Sequence, residues 1–338
     1  MAVAIALRMP RRSSSFSIDW AGLALTGVGA AGIVLIATWG GSTYAWNSPV
    51  ILGLIGVTLA SWAVVVPVER RAADPILPLQ VLTNHTFIIA TVVSVLMAAC
   101  MFGMNGYLPT YLQMVHGVSA TMSGLLLVPG SVGMFTGSLL SGMLVTRTGR
   151  YKPFPIIGSL LAASGMAMLG LLPANTHVAW TGVAVFILEI GIGLFLQLSV
   201  LVIQNALPAS MLGTSTSTNN FFREIGVSIG NTIVGVLFTG RLTASLLALG
   251  FDSQKAASIT PAVARSLNAA TGAAVIDAYH HALAPVLLSL APVLLLAAAI
   301  AVLFRPIPLS TKTGLEQLEE ELAEEGTERT YRAEHSDS

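Results

Sequence analysis

Charge is what this chain has least of. Only 9% of its 338 residues are Asp, Glu, Lys or Arg, against about 25% in soluble domains. Hydrophobic residues make up 54%, and mean hydropathy is +0.79. That balance excludes a soluble globular protein. Basic and acidic residues number 16 each and cancel, so no nucleic acid or other polyanion is implied as a partner. The single cysteine, Cys100, excludes an internal disulfide and a cysteine metal cluster. It lies in an apolar run and reads as a buried free thiol.

Catalytic motifs are missing too. There is no Gly-x-Ser-x-Gly elbow and no phosphate-binding loop. His280 and His281 are neighbours that point apart on a helix. Asp277 stands at i, i+4 from His281, with no third ligand in view. No metal, no cofactor and no enzymatic activity are expected; an intramembrane enzyme is an alternative that no motif supports.

What is present is a series of apolar runs of about 18 residues or more, each long enough to cross a bilayer. They cover 18–39, 49–68, 86–112, 119–145, 154–173, 179–203, 220–240 and 281–304. The intervening pieces are an N-terminal segment 1–17, a connector 69–85, a polar uncharged stretch 204–219 and a long loop 241–281 with short Ala-rich helices. A tail, 305–338, is rich in Glu. The domain organisation expected is therefore two helices over 18–68, a connector, a six-helix bundle over 86–304, and the tail.

The fourth and fifth runs are joined by the densest cationic feature of the chain, carrying Gly142, Arg147, Gly149, Arg150 and Lys152. A short basic turn between spans stays on the cytoplasmic side. With both termini on that side, 13 of the 16 Lys and Arg residues fall inside. Arg241, Lys255 and Arg265 fall outside, all in the long loop, where the rule counts least. The expectation is a multi-pass inner-membrane protein with both termini cytoplasmic and the lipid bilayer as its first partner.

The turn, Gly142-x-Leu144-x-x-Arg147-x-Gly149-Arg150-x-x-Pro153, resembles the loop signature of the major facilitator superfamily, with Thr146 where that family usually has an acid. Further stretches are similar to the second part of its 14-span drug/proton antiporters (EmrB/QacA type). These are Ile18-Asp19-Trp20-x-Gly22, Glu69-Arg70-Arg71 with Pro75 and Pro78, Tyr107-Leu-Pro109-Thr-Tyr111, Gly124 to Gly130, and Phe222-Arg223-x-x-Gly226-x-x-x-Gly230. The resemblance implies an all-α integral membrane fold of eight transmembrane helices: two central linker helices, then a six-helix C-terminal bundle. It implies export of amphipathic small molecules driven by a proton gradient. No counterpart of the family's first six-helix bundle is present, so a truncated, split or mis-started product is expected. Such a chain would transport with a separate first bundle or by self-association, or else be a non-transporting half.

Among candidate site residues Glu189 is the sharpest, because a carboxylate in mid-span costs about 2.5–3.5 kcal/mol on insertion scales. Helical spacing puts it in one wedge with Gly193, Gln197 and Gln204. The wedge reads either as a stripe facing a cavity, with Glu189 binding a proton or a cationic substrate, or as a protonated Glu hydrogen-bonded between helices. Asn105 and Gln113, in the outer half of the third run, read as cavity lining or as interhelical hydrogen bonds. Arg223 reads first as an anchor at the cytoplasmic end of the seventh run, and second as a contact to substrate or to the missing half. Glu224, beside it, need not pair with it. Gly133 and Gly137, and Gly226 and Gly230, are helix-packing positions.

Overall fold

The computed structural model describes residues 19–41, 43–72, 75–208, 211–252 and 260–305. The expected N-terminal segment 1–17 and nearly all of the acidic tail lie outside the described residues. Twelve helices are described: α1 Trp20–Trp39, α2 Pro49–Glu69, α3 Leu79–Thr83, α4 His85–Asn105, α5 Leu108–Val115, α6 Ala120–Leu125, α7 Val128–Thr148, α8 Pro153–Leu171, α9 Ala179–Asn205, α10 Leu212–Ala248, α11 Pro261–Ser266 and α12 Ala269–Ala301. Counting α4 with α5 and α6 with α7, eight of these segments are long and apolar enough to cross a membrane.

Local chemistry starts most of them. The Asp19 carboxylate accepts from Gly22 N at 2.8 Å, and Asn84 Oδ1 from Phe87 N at 3.0 Å, each satisfying an orphan donor of the first turn. Pro49 and Pro153 open α2 and α8, where a missing N–H costs nothing. Gly149 ends α7 at φ 65°, in the left-handed region, and its N–H bonds Val145 O at 2.8 Å.

Two spans are broken, and proline breaks them. Pro109 lacks the N–H that would bond Asn105 O, and α4 stops at Asn105. Pro129 does the same to Leu125 O, where α6 stops. Each third and fourth span is therefore a long helix plus a short outer piece.

The seventh and eighth spans are longer than the apolar runs indicate. The polar stretch 204–219 is helical from Leu212 onward, because its hydroxyls bond within the helix: Ser215 Oγ donates to Leu212 O at 3.1 Å. The loop expected over 241–281 is shorter. α10 runs 37 residues to Ala248 through helix-favouring Leu and Ala, with Gly250 at φ 84° after it. α12 runs 33 residues from Ala269. Within the Ala-rich part, Pro261–Ser266 is a separate short helix.

Close backbone approach organises the bundle. α9 packs between α7 and α8, and α4 runs alongside α10. A Cβ on Gly133 would lie 2.6 Å from Phe186 O, and one on Gly137 would overlap Ile190 O. On the other seam a Cβ on Gly226 would lie 2.8 Å from Val95 O, and one on Gly230 would overlap Ala99 O. All four positions are helix contacts in which only hydrogen fits. The α1–α2 pair stands to one side, touching the bundle through α1 against α10 and through Trp62, stacked 6.4 Å from Phe222.

Candidate functional site

Glu189 is 4% exposed on α9, with α4 and α7 against it. Asn105 Nδ2, at the last residue of α4, donates to Glu189 Oε1 at 3.3 Å. Oε2 is buried and has no hydrogen-bond partner among the described residues. The space for the side chain is made on α7, where a Cβ on Gly130 would stand 3.0 Å from Glu189 Cγ. Glu189 thus sits beside both proline-made breaks. The C-terminal end of α4 offers an amide to it, and the first turn of α7 lies along its stem. A carboxyl so placed can hold a proton or attract a cation, since its second oxygen is uncommitted.

The other expected residues do not converge there. Gln197, two turns further along α9, is exposed. Gln204 Nε2 donates to Thr216 Oγ1 at 3.3 Å, tying the end of α9 to the start of α10. Gln113 Nε2 donates to Pro109 O and Ser123 Oγ, both at 3.2 Å, and so clasps α5 to α6. Arg223 lies 3.5 Å from Glu224, its neighbour in sequence, so the two do pair. Asn219, on the same face of α10, is fully buried and accepts from Thr91 Oγ1 at 3.1 Å.

At the basic turn Arg147 and Arg150 are exposed, Lys152 is half-buried, and a Cβ on Gly142 would meet no other side chain or helix within 4 Å. The turn is anchored by Tyr151, whose hydroxyl donates to Arg305 O at 2.5 Å beyond α12. Sequence reasoning passed over Tyr151; an aromatic among cations at a span end was the available signal. It also passed over Asn231, a mid-span amide on α10 whose oxygen lies against Gly106 at the α4–α5 break. Glu69 was likewise taken as the start of the connector. It is 4% exposed, and it converges with Asp19 on Gly22.

A second space, of about 390 Å³, lies between α1 and α10 and is lined by Ile33, Ile36, Trp46, Ile229, Ile233 and Leu237. Its lining is almost wholly apolar, and its one hydroxyl, on Thr232, donates to Ser228 O at 2.8 Å. Among the described residues no three His, Cys, Asp or Glu side chains are placed to hold a metal.

Comparison with known proteins agrees with this architecture. The chain is 34% identical over 296 residues to an uncharacterized MFS-type transporter of Mycobacterium tuberculosis, covering 87% of this chain and 43% of that protein. It is 32% identical over 239 residues to a multidrug transporter protein of Bacillus subtilis, covering 71% and 44%. A tetracycline resistance determinant of Streptomyces rimosus is 32% identical over 209 residues, covering 61% and 59%. The chain thus spans less than half the length of the first two. Among solved structures, an inward-facing bacterial homolog of the human lysosomal transporter Spinster matches with a TM-score of 0.53 at 19% identity, over 83% of this chain and 64% of that one. The Major Facilitator Superfamily profile matches residues 1–231, and the chain belongs to that family of membrane transporters.

Proposed function

We propose that this chain is the second part of a 14-span drug/proton antiporter of the EmrB/QacA type, exporting drugs or other amphipathic small molecules across the inner membrane. Both termini and the Arg147–Lys152 turn face the cytoplasm in this reading. The proton gradient is the energy source, and no cofactor takes part. Transport requires a second bundle opposite the six-helix bundle, because alternating access rocks one bundle against another around a midplane site.

The observation that carries the reading is Glu189: a carboxyl buried at mid-span, half satisfied by Asn105, at the level where two helices break. Alternate occupancy of such a group by a proton and by a cationic substrate couples the two fluxes. Efflux of a lipophilic cationic dye from vesicles under an imposed proton gradient tests this. The 338-residue chain, its Glu189→Gln variant, and both supplied with a relative's first bundle are compared. Transport that Glu189→Gln abolishes supports the reading. Equal transport by the variant removes Glu189 from the coupling path. No transport by any form makes the chain a non-transporting partner, the second reading.

A further inference from the structure

Four of the chain's six histidines lie at the end of the bundle opposite the basic turn. There the Tyr111 hydroxyl and His280 Nδ1, 2.8 Å apart, join α5 to α12. The same phenol ring stands edge-on to His116, with centroids 6.0 Å apart, and 6.1 Å from the His280 ring. One buried tyrosine is therefore wedged between two imidazoles. α5 is the short piece beyond the Pro109 break, so this wedge is a main tie between it and the bundle.

We infer that His116 and His280, with Tyr111 between them, form a proton-binding latch separate from Glu189, which holds α5 on α12 while both imidazoles are neutral and releases it when protons bind. With His280 neutral and its proton on Nε2, Tyr111 donates its O–H to the unprotonated Nδ1. A proton on Nδ1 removes that acceptor, and the phenol must turn to accept instead. A second proton on His116 adds a like charge on the other side of the ring.

The surroundings supply little compensation. On α12, His281 is turned outward onto Asp277, 3.3 Å away, and both are about two-thirds exposed. Tyr279 packs edge-on against Phe238, with centroids 4.9 Å apart. From the turn before α9 comes His177, whose Nδ1 accepts from Ala179 N at 3.2 Å. Tyr107, one turn below on α5's approach, faces Gly235 and Phe238. α8 offers Leu169 and α9 offers Thr181, around a water-sized cavity of about 10 Å³ that also touches Tyr111 and His116. Asp277, the acid on α12, is engaged by His281.

Burial first, then His280 and His177, push His116 below its ordinary value of 6.5. The closed state therefore binds fewer protons than an opened one. Its stability is full above about pH 6.5 and is lost as pH falls, with a limiting slope of about tenfold in the opening equilibrium per pH unit per proton.

The test is the distance between spin labels at Thr121→Cys on α6 and Ala273→Cys on α12. The 338-residue chain in lipid nanodiscs carries Cys100→Ala as background. A second, longer distance that grows several-fold between pH 7 and pH 5.5 is expected. It should become insensitive to pH in the His116→Gln, His280→Gln pair, and Tyr111→Phe should show it already at pH 7.5. A distance distribution unchanged down to pH 5, or a pH response that persists in the double variant, overturns the latch.

Discussion

Gly137→Ala places a methyl group where α9 backbone already stands. Its Cβ would overlap Ile190 O and lie 2.9 Å from Leu194 N. Neither atom belongs to a side chain that can rotate away, so α7 and α9 must separate. Separation also strains the Ser138 Oγ–Gly193 O hydrogen bond of 3.1 Å and opens the contact of Gly133 with Phe186. Overpacking of this kind costs about 1–3 kcal/mol, and a lost hydrogen bond costs about 0.5–1.5 kcal/mol. Alanine returns about 0.8–1.0 kcal/mol of helix propensity. The net expectation is destabilisation by about 0.5–3.7 kcal/mol, or roughly 2- to 500-fold in the folding equilibrium. Gly142→Ala, on the same helix, is the control. Nothing lies within 4 Å of its Cβ position, so only the propensity gain acts and the variant should be slightly more stable. Unfolding in mixed micelles with increasing SDS, followed by circular dichroism, measures both. Equal stability of Gly137→Ala and the native chain, or equal losses in both variants, would refute the packing argument.

Two further outcomes follow from single hydrogen bonds. Tyr151→Phe removes the donor to Arg305 O and should cost about 0.5–1.5 kcal/mol in the same unfolding assay, with the SDS midpoint shifted down. Asn105→Leu leaves the Glu189 carboxyl without its donor and should cost about 1–3 kcal/mol; Glu189→Leu added to it should recover part of that loss, because both ends of the pair are then apolar.

Much of this architecture is visible in the sequence because a bilayer allows few alternatives. A charge-free run of span length must satisfy its own backbone, and only a helix does so. Glu189 stands out for the same reason. Its partner does not, since Asn105 is 84 positions away and only packing brings them together. Prolines show the limit of local reading. Pro109 and Pro129 end helices, while Pro285 and Pro292 lie inside unbroken α12 and Pro67 inside α2. Which proline breaks a span depends on what neighbouring helices accept. Residues 212–219 look like a loop because Ser and Thr are common in loops, but their hydroxyls can bond a preceding carbonyl and leave the helix intact. Helical period puts Glu189, Gly193, Gln197 and Gln204 on one side of α9, but Glu189 is buried, Gln197 is exposed and Gln204 is bonded to Thr216. Which members of the wedge are covered depends on helix crossings that period alone does not encode.

The break at Asn105 also bears on which exposed faces meet lipid. Lipid-exposed irregular backbone does not occur within the hydrocarbon region; it is tolerated where protein or water supplies the missing partner. Pro109 deprives Asn105 O of its N–H, and Gly106, the next residue, is exposed with the Asn231 amide against it. That face, shared by the α4 break and the middle of α10, is expected to open to water rather than to acyl chains. The α7 face bearing Phe135, Leu139 and Met143 carries no such demand, though Phe135 is 70% exposed. A thiol reacts as its thiolate, which needs water to form. In the Cys100→Ala background, Asn231→Cys should react readily with a charged, membrane-impermeant thiol reagent, and Leu139→Cys should not. Both sites lie within spans and both are exposed, so exposure alone predicts equal rates. Equal rates would mean that the break is lined by protein or lipid and that no aqueous cavity reaches Glu189 from this side.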